Sequence, residues 1–190
     1  MSIINPEIET ERLLLRAFTP ADFEAFAGMR ADAEVMRFIG QPVGSQTREQ
    51  ARAWQEKNDR RWLDNGFGMW GVVERATGGL AGWCGLSRLE DTQEVEVGYG
   101  LARRAWGRGL ATEAARASLR YGFERVGLTR IAAVVNPANH ASRHVVEKLG
   151  LRHVKVARHY GADLDYFEIT RADFQPTAAP YLLRETEANG

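Results

Sequence analysis

The residues best suited to chemistry lie in one stretch, YGLARRAWGRGLATEA, residues 99–114. Arg104, Gly107 and Gly109 supply the pattern R-x-x-G-x-G between a strand-like run and an alanine-rich helical run. Glycine lets the backbone approach an anion without a Cβ atom in the way, and a helix N-terminus adds N–H donors and the positive end of the helix dipole. The neighbouring arginines can add charge-assisted hydrogen bonds. The stretch predicts an anion-binding loop, typically for phosphate.

Two other phosphate-binding motifs fit this stretch poorly. The dinucleotide fingerprint G-x-G-x-x-G fails because Gly98 and Gly100 are followed by Arg103, and the second glycine pair is followed by Thr112. The tripeptide G-K-[ST] of a P-loop does not occur in the chain. A solvated basic turn that ends in glycine is the competing structural interpretation, although it does not require the strand before it and the helix after it.

Length and charge limit the classes of function. A chain of 190 residues suits one domain, and 25 Lys and Arg balance 25 Asp and Glu, so no overall field favours nucleic acid or a membrane. The N-terminus lacks the basic and apolar regions of a signal peptide, and no apolar run approaches the roughly 18 residues of a membrane span. The single cysteine, Cys84, excludes a disulfide within the chain and a multi-cysteine metal site. We expect a cytoplasmic protein.

The elements that position the loop follow from periodicity and from helix-start residues. Residues 10–18 alternate as a first strand. Thr19 as N-cap and Pro20 in the first helical position predict a helix after it. A second helix over 47–64 ends at Gly66, and a hairpin follows, with FGMWGVVER and LAGWCGLSRL as its strands.

The second half of the chain alternates strands and helices around the loop. The strand EVEVGYGL leads into the loop, and the helix after it ends at Gly127. Residues 130–135 are almost entirely apolar, as expected of a strand covered on both faces. A short helix that ends at Gly150 and a final hairpin follow, and residues 175–190 are predicted to be a loose tail.

Two segments together carry a family resemblance. VEVGYGLARRAWGRGLATEA and NPANHASRHVVEKLGL resemble the GNAT superfamily of acyl-CoA-dependent N-acetyltransferases, and within it the branch that includes the ribosomal-protein N-terminal (alanine/serine) acetyltransferases. The resemblance extends over about residues 8–174 of a single acetyltransferase domain, 1–190. It implies an α/β fold of the α+β type, with a mixed, mostly antiparallel sheet and flanking helices in the order βααβββαβαββ. The fourth and fifth strands form a splayed parallel pair.

The resemblance also implies where acetyl-CoA binds. Its pantetheine arm enters the gap between the splayed strands near Gly98 to Leu101, and the amides from Arg104 to Ala111 hold the pyrophosphate. Asn139 is a probable N-cap on residue type, and in this branch it also reaches the pantetheine. The implied cofactor-binding residues are Leu101, Arg103, Arg104, Ala105, Trp106, Gly107, Arg108, Gly109, Leu110, Ala111, Asn139 and Ser142.

A general base is useful because the attacking amine must be neutral, and amine pKa values lie near 10.4 for lysine and about 7.8 for an α-amine. Strand alternation places Glu94 and Glu96 on the same face, about 7 Å apart. Glu96 matches the glutamate of the family's E-I-G-Y strand, and it is the predicted base. That both carboxylates are merely solvated remains the alternative.

The general acid is less directly implied. Many relatives use a tyrosine of the last helix, but the matching position here is Val146, which cannot donate a proton. Ser142 lies one turn earlier on the same side and is the predicted substitute, although it could instead begin the helix or contact the cofactor. A coenzyme A thiol resembles cysteine, with a pKa of about 8.5, so the thiolate can leave with little assistance.

Other candidate residues carry less. His140 and His144 have the i, i+4 spacing of a metal pair, but the glutamate of H-E-x-x-H and a third ligand are lacking, so we expect no metal. Cys84 lies in an apolar strand and is interpreted as a buried small hydrophobe. Phe38 lies in the loop 38–45 and can face the acceptor.

The predicted function is acetyl-CoA-dependent N-acetylation of a primary amine, on a protein N-terminus or a small molecule, by direct transfer in a ternary complex. A non-catalytic acyl-CoA-binding regulator is the alternative, and a module that binds nucleic acid through the arginines is disfavoured by the neutral net charge. The loop 38–45, the second helix and the final hairpin shape the acceptor pocket without a recognisable code. A monomer and a homodimer are both compatible with the sequence.

Overall fold

A computed structural model describes residues 6–39, 44–90 and 92–185. Its strands form a single sheet in the order β7-β8-β6-β5-β4-β3-β2-β1-β9. The strands are β1 (Glu7–Thr10), β2 (Leu13–Arg16), β3 (Met69–Glu74), β4 (Leu80–Arg88), β5 (Val95–Leu101), β6 (Arg130–Val135), β7 (Arg152–His159), β8 (Ala162–Thr170) and β9 (Tyr181–Arg184). The α-helices are α1 (Phe23–Ala31), α2 (Arg48–Asn65), α3 (Leu110–Tyr121) and α4 (His140–Lys148).

The predicted mixed, mostly antiparallel sheet with flanking helices is confirmed, with one more strand at each end of the chain. The strand predicted over 10–18 corresponds to β2, and β1 is an additional strand before it that pairs with it antiparallel, with Ile8 opposite Leu15. The turn between them is held by the Thr10 hydroxyl, which accepts from the Leu13 amide at 3.1 Å.

The C-terminal segment differs from the loose tail expected over 175–190. Residues Tyr181–Arg184 form β9, an antiparallel edge strand on β1. Its side chains Tyr181 and Leu183 pack partly buried against the core, and Arg184 lies 3.0 Å from Glu9. Residues 186–190 lie outside the described residues.

The helix boundaries predicted from capping residues are confirmed. Thr19 and Asp22 form a capping box across a short 3₁₀ turn that leads into α1. Thr47 caps α2 by accepting from the Gln50 amide at 3.3 Å, and Gly66 ends it. These local devices define the helices before any packing is considered.

The helices cover both faces of the sheet. Adjacent residues of β4 show the division, since Trp83 packs with α1 in one apolar cluster and Cys84 lies with α3 in the other. Among the helices that the structure describes, none has the length and apolar character needed to cross a membrane.

The strand β5 is paired very unequally on its two sides. It pairs with β4 along its whole length, from Val95 to Leu101. Its parallel pairing with β6 is registered at a single position, Glu96 opposite Ala132. The segment 97–101 therefore leaves β6 along one edge, which is the splayed parallel pair that the sequence predicted as strands four and five. Backbone groups along that edge are free to pair with another extended molecule.

Candidate active site

The loop that follows β5 is shaped by two glycines with left-handed backbone. Gly107 has φ +71° and Gly109 has φ +75°, and Gly109 is the N-cap of α3. A Cβ atom on Gly107 would meet no atom within 4 Å, and one on Gly109 would lie 3.6 Å from the Arg12 guanidinium. Glycine is therefore required here by the backbone angle and not by lack of space.

The main chain of this loop presents several amides without protein partners. The amides of Gly107, Arg108 and Gly109 donate no hydrogen bond of standard geometry within the described part of the chain. The first amides of α3, from Leu110 to Thr112, have no acceptor within a helix by its construction. Such a row of N–H groups at the positive end of a helix dipole fits an anion such as a diphosphate.

The 3₁₀ turn before the loop shortens the row of backbone amides that was predicted to hold the pyrophosphate. The Ala105 amide donates to the Ala102 carbonyl at 2.8 Å, and the Trp106 amide donates to the Arg103 carbonyl at 3.1 Å. The Trp106 indole N–H also donates to the Leu101 carbonyl at 2.7 Å, so that carbonyl, predicted to face the pantetheine, already has one partner. These two bonds remove Ala105 and Trp106 from the predicted row, and the uninterrupted run of available amides begins at Gly107.

The arginine side chains of the loop contact protein groups. Arg103 lies 3.1 Å from Asp32, and Arg108 lies 2.7 Å from Glu74. Arg104 donates to the Leu80 carbonyl at 2.6 Å. In this arrangement they attach the loop to α1, β3 and β4, and their contribution to an anion stays a prediction.

A clamp that the sequence did not indicate holds the loop from the other side. Arg12 donates from Nη1 to the Arg108 carbonyl at 2.8 Å, and its Nη2 lies 2.6 Å from the Glu113 carboxylate in the first turn of α3. The same carboxylate accepts from the Thr10 hydroxyl at 2.7 Å. The β1–β2 turn therefore fixes the start of α3, where the amides are presented. Because Arg12 and Glu113 are 101 positions apart, no local sequence pattern predicts their contact.

Glu96 lies on the face of β5 opposite Val95 and Val97, and only 9% of it is exposed. Burial raises the pKa of its carboxyl group to about 7, although hydrogen bonds from Tyr160 and Ser87 act in the opposite direction. The Ser87 hydroxyl donates from 3.3 Å. A carboxyl group with a pKa near neutrality can take up and release a proton under physiological conditions.

Glu94 shares the predicted face with Glu96 but has a different environment. Its carboxylate lies 2.9 Å from Arg130 and accepts from the Tyr166 hydroxyl at 3.1 Å. Glu94 forms this ion pair just before the first residue of β5, whereas the Glu96 carboxylate is buried within the strand. Burial therefore distinguishes Glu96, the predicted base, from Glu94, and the Glu96 carboxylate is not simply solvated.

The predicted Ser142 lies on the other face of β5, next to a residue that the sequence reasoning missed. Its hydroxyl oxygen is 2.9 Å from the Tyr99 hydroxyl, and burial raises the pKa of Tyr99 above its ordinary value, so that hydroxyl stays protonated. Asn139 caps α4 by accepting from the Ser142 amide at 3.1 Å, as predicted. Val146 is 1% exposed and packs in the core. Glu96 and Tyr99 are an odd number of positions apart in one strand, which places their side chains on opposite faces. That spacing was the signal in the sequence that could have identified Tyr99.

The structure also shows the surroundings of Cys84 and Phe38, two other residues that the sequence analysis considered. Cys84 is completely buried, which raises the pKa of its thiol to about 12, so its interpretation as a small core residue is confirmed. Phe38 is partly buried, with the Arg37 guanidinium 5.2 Å from its ring centre. Residues 40–43 of its loop lie outside the described residues.

The chain is similar to known proteins over most of its length. A family model described as an acetyltransferase (GNAT) domain matches residues 12–152. The Bacillus subtilis protein named uncharacterized N-acetyltransferase YoaA is 33% identical over 82% of this chain and 88% of its own. The B. subtilis putative ribosomal N-acetyltransferase YdaF is 30% identical over 52% of this chain and 57% of its own. A crystal structure of a GNAT acetyltransferase from Bacillus anthracis is 30% identical, covers 87% of this chain and 99% of that one, and superposes with a TM-score of 0.74.

Proposed function

The chain belongs to the GNAT acetyltransferase family, and from that premise we propose that it transfers the acetyl group of acetyl-CoA to a primary amine. The acceptor is a protein N-terminus or a small-molecule amine, and the transfer is direct, within a ternary complex. The observation that carries the proposal is the row of amides from Gly107 to Thr112 that have no acceptor among the described residues. The row follows a strand whose two faces hold a buried carboxylate and a pair of hydroxyl groups.

The loop supports the binding of acetyl-CoA. The amides from Gly107 to Thr112 fit its diphosphate, and the edge of 97–101 that leaves β6 suits an extended pantetheine arm. Acetyl-CoA supplies a thioester, an acyl group that is already activated toward amines. The chain then has to orient that group and to move protons.

Glu96 is the proposed general base. An amine that attacks the acyl carbon becomes positively charged and must lose a proton, and the Glu96 carboxylate accepts it directly or through a water molecule. Its pKa of about 7 leaves a large fraction deprotonated at neutral pH while keeping the group basic enough to act.

Ser142 is the proposed general acid for the thiolate that leaves. Tyr99 supports this role, because its hydroxyl lies 2.9 Å from Ser142 Oγ and can donate a hydrogen bond to that oxygen as Ser142 gives up its proton. Since Glu96 and Tyr99 point to opposite faces of β5, the proton is removed from the amine on one side and delivered to sulfur on the other.

Calorimetric titration of acetyl-CoA tests the proposal first, with Gly109→Val as the variant. Valine is strained at φ +75°, so the loop must change shape and binding should fall below detection. Gly127→Val is the matched control, because Gly127 has φ +81° at the far end of the π-helical turn that continues α3. It should bind acetyl-CoA like the parent protein.

Amine-dependent release of free thiol then separates the two candidate functions. Thiol release with any amine of a panel of peptides and small amines supports the enzyme, and binding without release from every amine favours the regulator. Absence of acetyl-CoA binding in the parent protein would overturn both.

A further inference from the structure

The turn between β7 and β8 has an unusual residue in an unusual backbone conformation. Tyr160 has φ +52° and is followed by Gly161 with φ +74°. Two-residue hairpin turns with positive φ at both positions strongly prefer Asn, Asp or Gly at the first. A bulky residue is strained in this region, and such residues persist where the surrounding structure holds them.

Glu90 holds Tyr160 in place. Among the described residues, Glu90 and Tyr160 are the two non-glycine residues with left-handed backbone, and they contact each other. The Glu90 carboxylate accepts from the Tyr160 amide at 2.9 Å and lies 2.9 Å from His159 Nδ1. The bond from His159 is the main cause that holds the pKa of Glu90 below its ordinary value.

The consequence of this anchoring is the position of the tyrosine hydroxyl. It donates to Oε1 of Glu96, the same oxygen that accepts from the Ser87 hydroxyl at 3.3 Å. Oε2 of Glu96 accepts no hydrogen bond from the part of the chain that the structure describes. Burial and the neighbouring carboxylate raise the pKa of Tyr160 above its ordinary value, so its hydroxyl remains a donor.

We propose that Tyr160 is a positioning residue for the base: it holds Oε1 of Glu96 and directs Oε2 toward the proton of the acceptor amine, with Glu90 as its anchor. This inference rests on the proposed function, since it assumes that Glu96 is the base. Tyr160 touches Glu96 and acts through it. The strained turn is therefore part of the acceptor side of the site, 64 residues away in the chain from the strand that carries the carboxylate.

The electrostatic surroundings of Glu96 make this role measurable. Arg61 of α2 and His159 of β7 favour its charged form through space, and Ser87 and Tyr160 favour it by hydrogen bonds, against burial. Removing the Tyr160 hydroxyl takes away one interaction that favours the charged carboxylate, so burial raises the pKa of Glu96 further. The Glu96 carboxyl group should then lose its proton at a higher pH.

The test compares Tyr160→Phe with Tyr166→Phe. Each variant loses one hydroxyl group that donates to a glutamate of β5, Glu96 in the first and Glu94 in the second. In Tyr160→Phe the acidic limb of the kcat/KM profile should move up by about half a pH unit or more, with acetyl-CoA affinity unchanged. In Tyr166→Phe the limb should stay where the parent has it. Glu90→Gln should move it in the same direction by less.

A second readout does not depend on activity. The Glu96 carboxyl group can be titrated by ¹³C NMR in protein labelled on glutamate, with Glu96→Gln to assign its signal. A higher titration midpoint in Tyr160→Phe supports the inference even if no acceptor has been found. An unchanged midpoint, or an equal shift in Tyr166→Phe, overturns it. Absence of acetyl transfer in the parent protein would instead count against the proposed function.

Discussion

Two regions lie along and after β5 and are built in opposite ways. The loop from Gly107 to Thr112 presents main-chain amides, and its shape depends on the backbone angles of two glycines. The pocket around Glu96 is made of side chains that arrive from β4, β5, the β7–β8 turn and α2. The loop is a local structure that the rest of the fold holds in place, whereas the pocket exists only where distant elements converge.

This difference teaches which changes each region tolerates. The loop should lose its function when its backbone angles change, and it should depend little on the charge of any one side chain. The pocket should lose its function when one side chain loses its chemistry, although the backbone stays as it is. Four predictions separate these two behaviours.

The largest effect is expected from Glu96→Gln, which preserves shape and removes the base. Loss of a general base typically costs about 10²–10⁴ in rate, so kcat should fall by that amount. Acetyl-CoA affinity should not change, because the loop is untouched. Glu94→Gln is the control, since Glu94 lies in an ion pair with Arg130, and it should keep most of the activity. Equal losses in both variants would contradict the distinction between the two carboxylates.

The same substitution should stabilise the protein at high pH. The folded-state pKa of Glu96, about 7, lies above the unfolded value, so the folded protein keeps a proton that the unfolded chain releases. Stability is therefore lost as the pH rises from about 4 to about 7. Glutamine avoids this loss, and Glu96→Gln should gain about 3 kcal/mol at pH 8 and almost nothing at pH 4. Urea unfolding at the two pH values measures this gain in the free energy of unfolding. An equal gain at both pH values would contradict a raised pKa for the buried Glu96 carboxyl group.

A smaller effect is expected from Gly107→Ala in the loop. A left-handed backbone costs an L-residue roughly 1–2 kcal/mol, and no atom obstructs the new Cβ, so strain alone should act. Acetyl-CoA affinity should fall about tenfold while kcat at saturation is nearly unchanged. Titration calorimetry gives the first value and steady-state kinetics the second. An unchanged affinity would mean that the backbone angle at this glycine is not what shapes the loop.

The smallest effect is expected from Arg108→Gln. Arg108 is exposed and pairs with Glu74, and exposed ion pairs contribute little because water and salt screen them. Acetyl-CoA affinity should fall by less than about fivefold. A loss larger than that of Gly107→Ala would show that the arginine charge, more than the amides, holds the anion. Repeating both titrations at high salt would check whether the Arg108 charge contributes to binding. Salt screens an exposed charge, so binding that depends on Arg108 should weaken strongly.

Much of the fold could be predicted from local patterns. The capping residue Thr19 marked a helix start, Gly66 marked a helix end, and the alternation of Leu13 to Arg16 marked a strand. The strand β9 could not be predicted in this way. It is an edge strand of only four residues that directly follows Pro180, and it forms because β1 offers a free edge.

The sequence by itself determined the loop, because its glycines, its preceding strand and its following helix lie within about twenty residues and obey local rules. Tertiary structure decided the partners of the catalytic candidates. Tyr160 reaches Glu96 across 64 residues, Tyr99 reaches Ser142 across 43, and Arg12 reaches Glu113 across 101. Side-chain contacts of this kind depend on strand order and on which face of β5 each residue occupies, and both follow from the packing of the whole sheet.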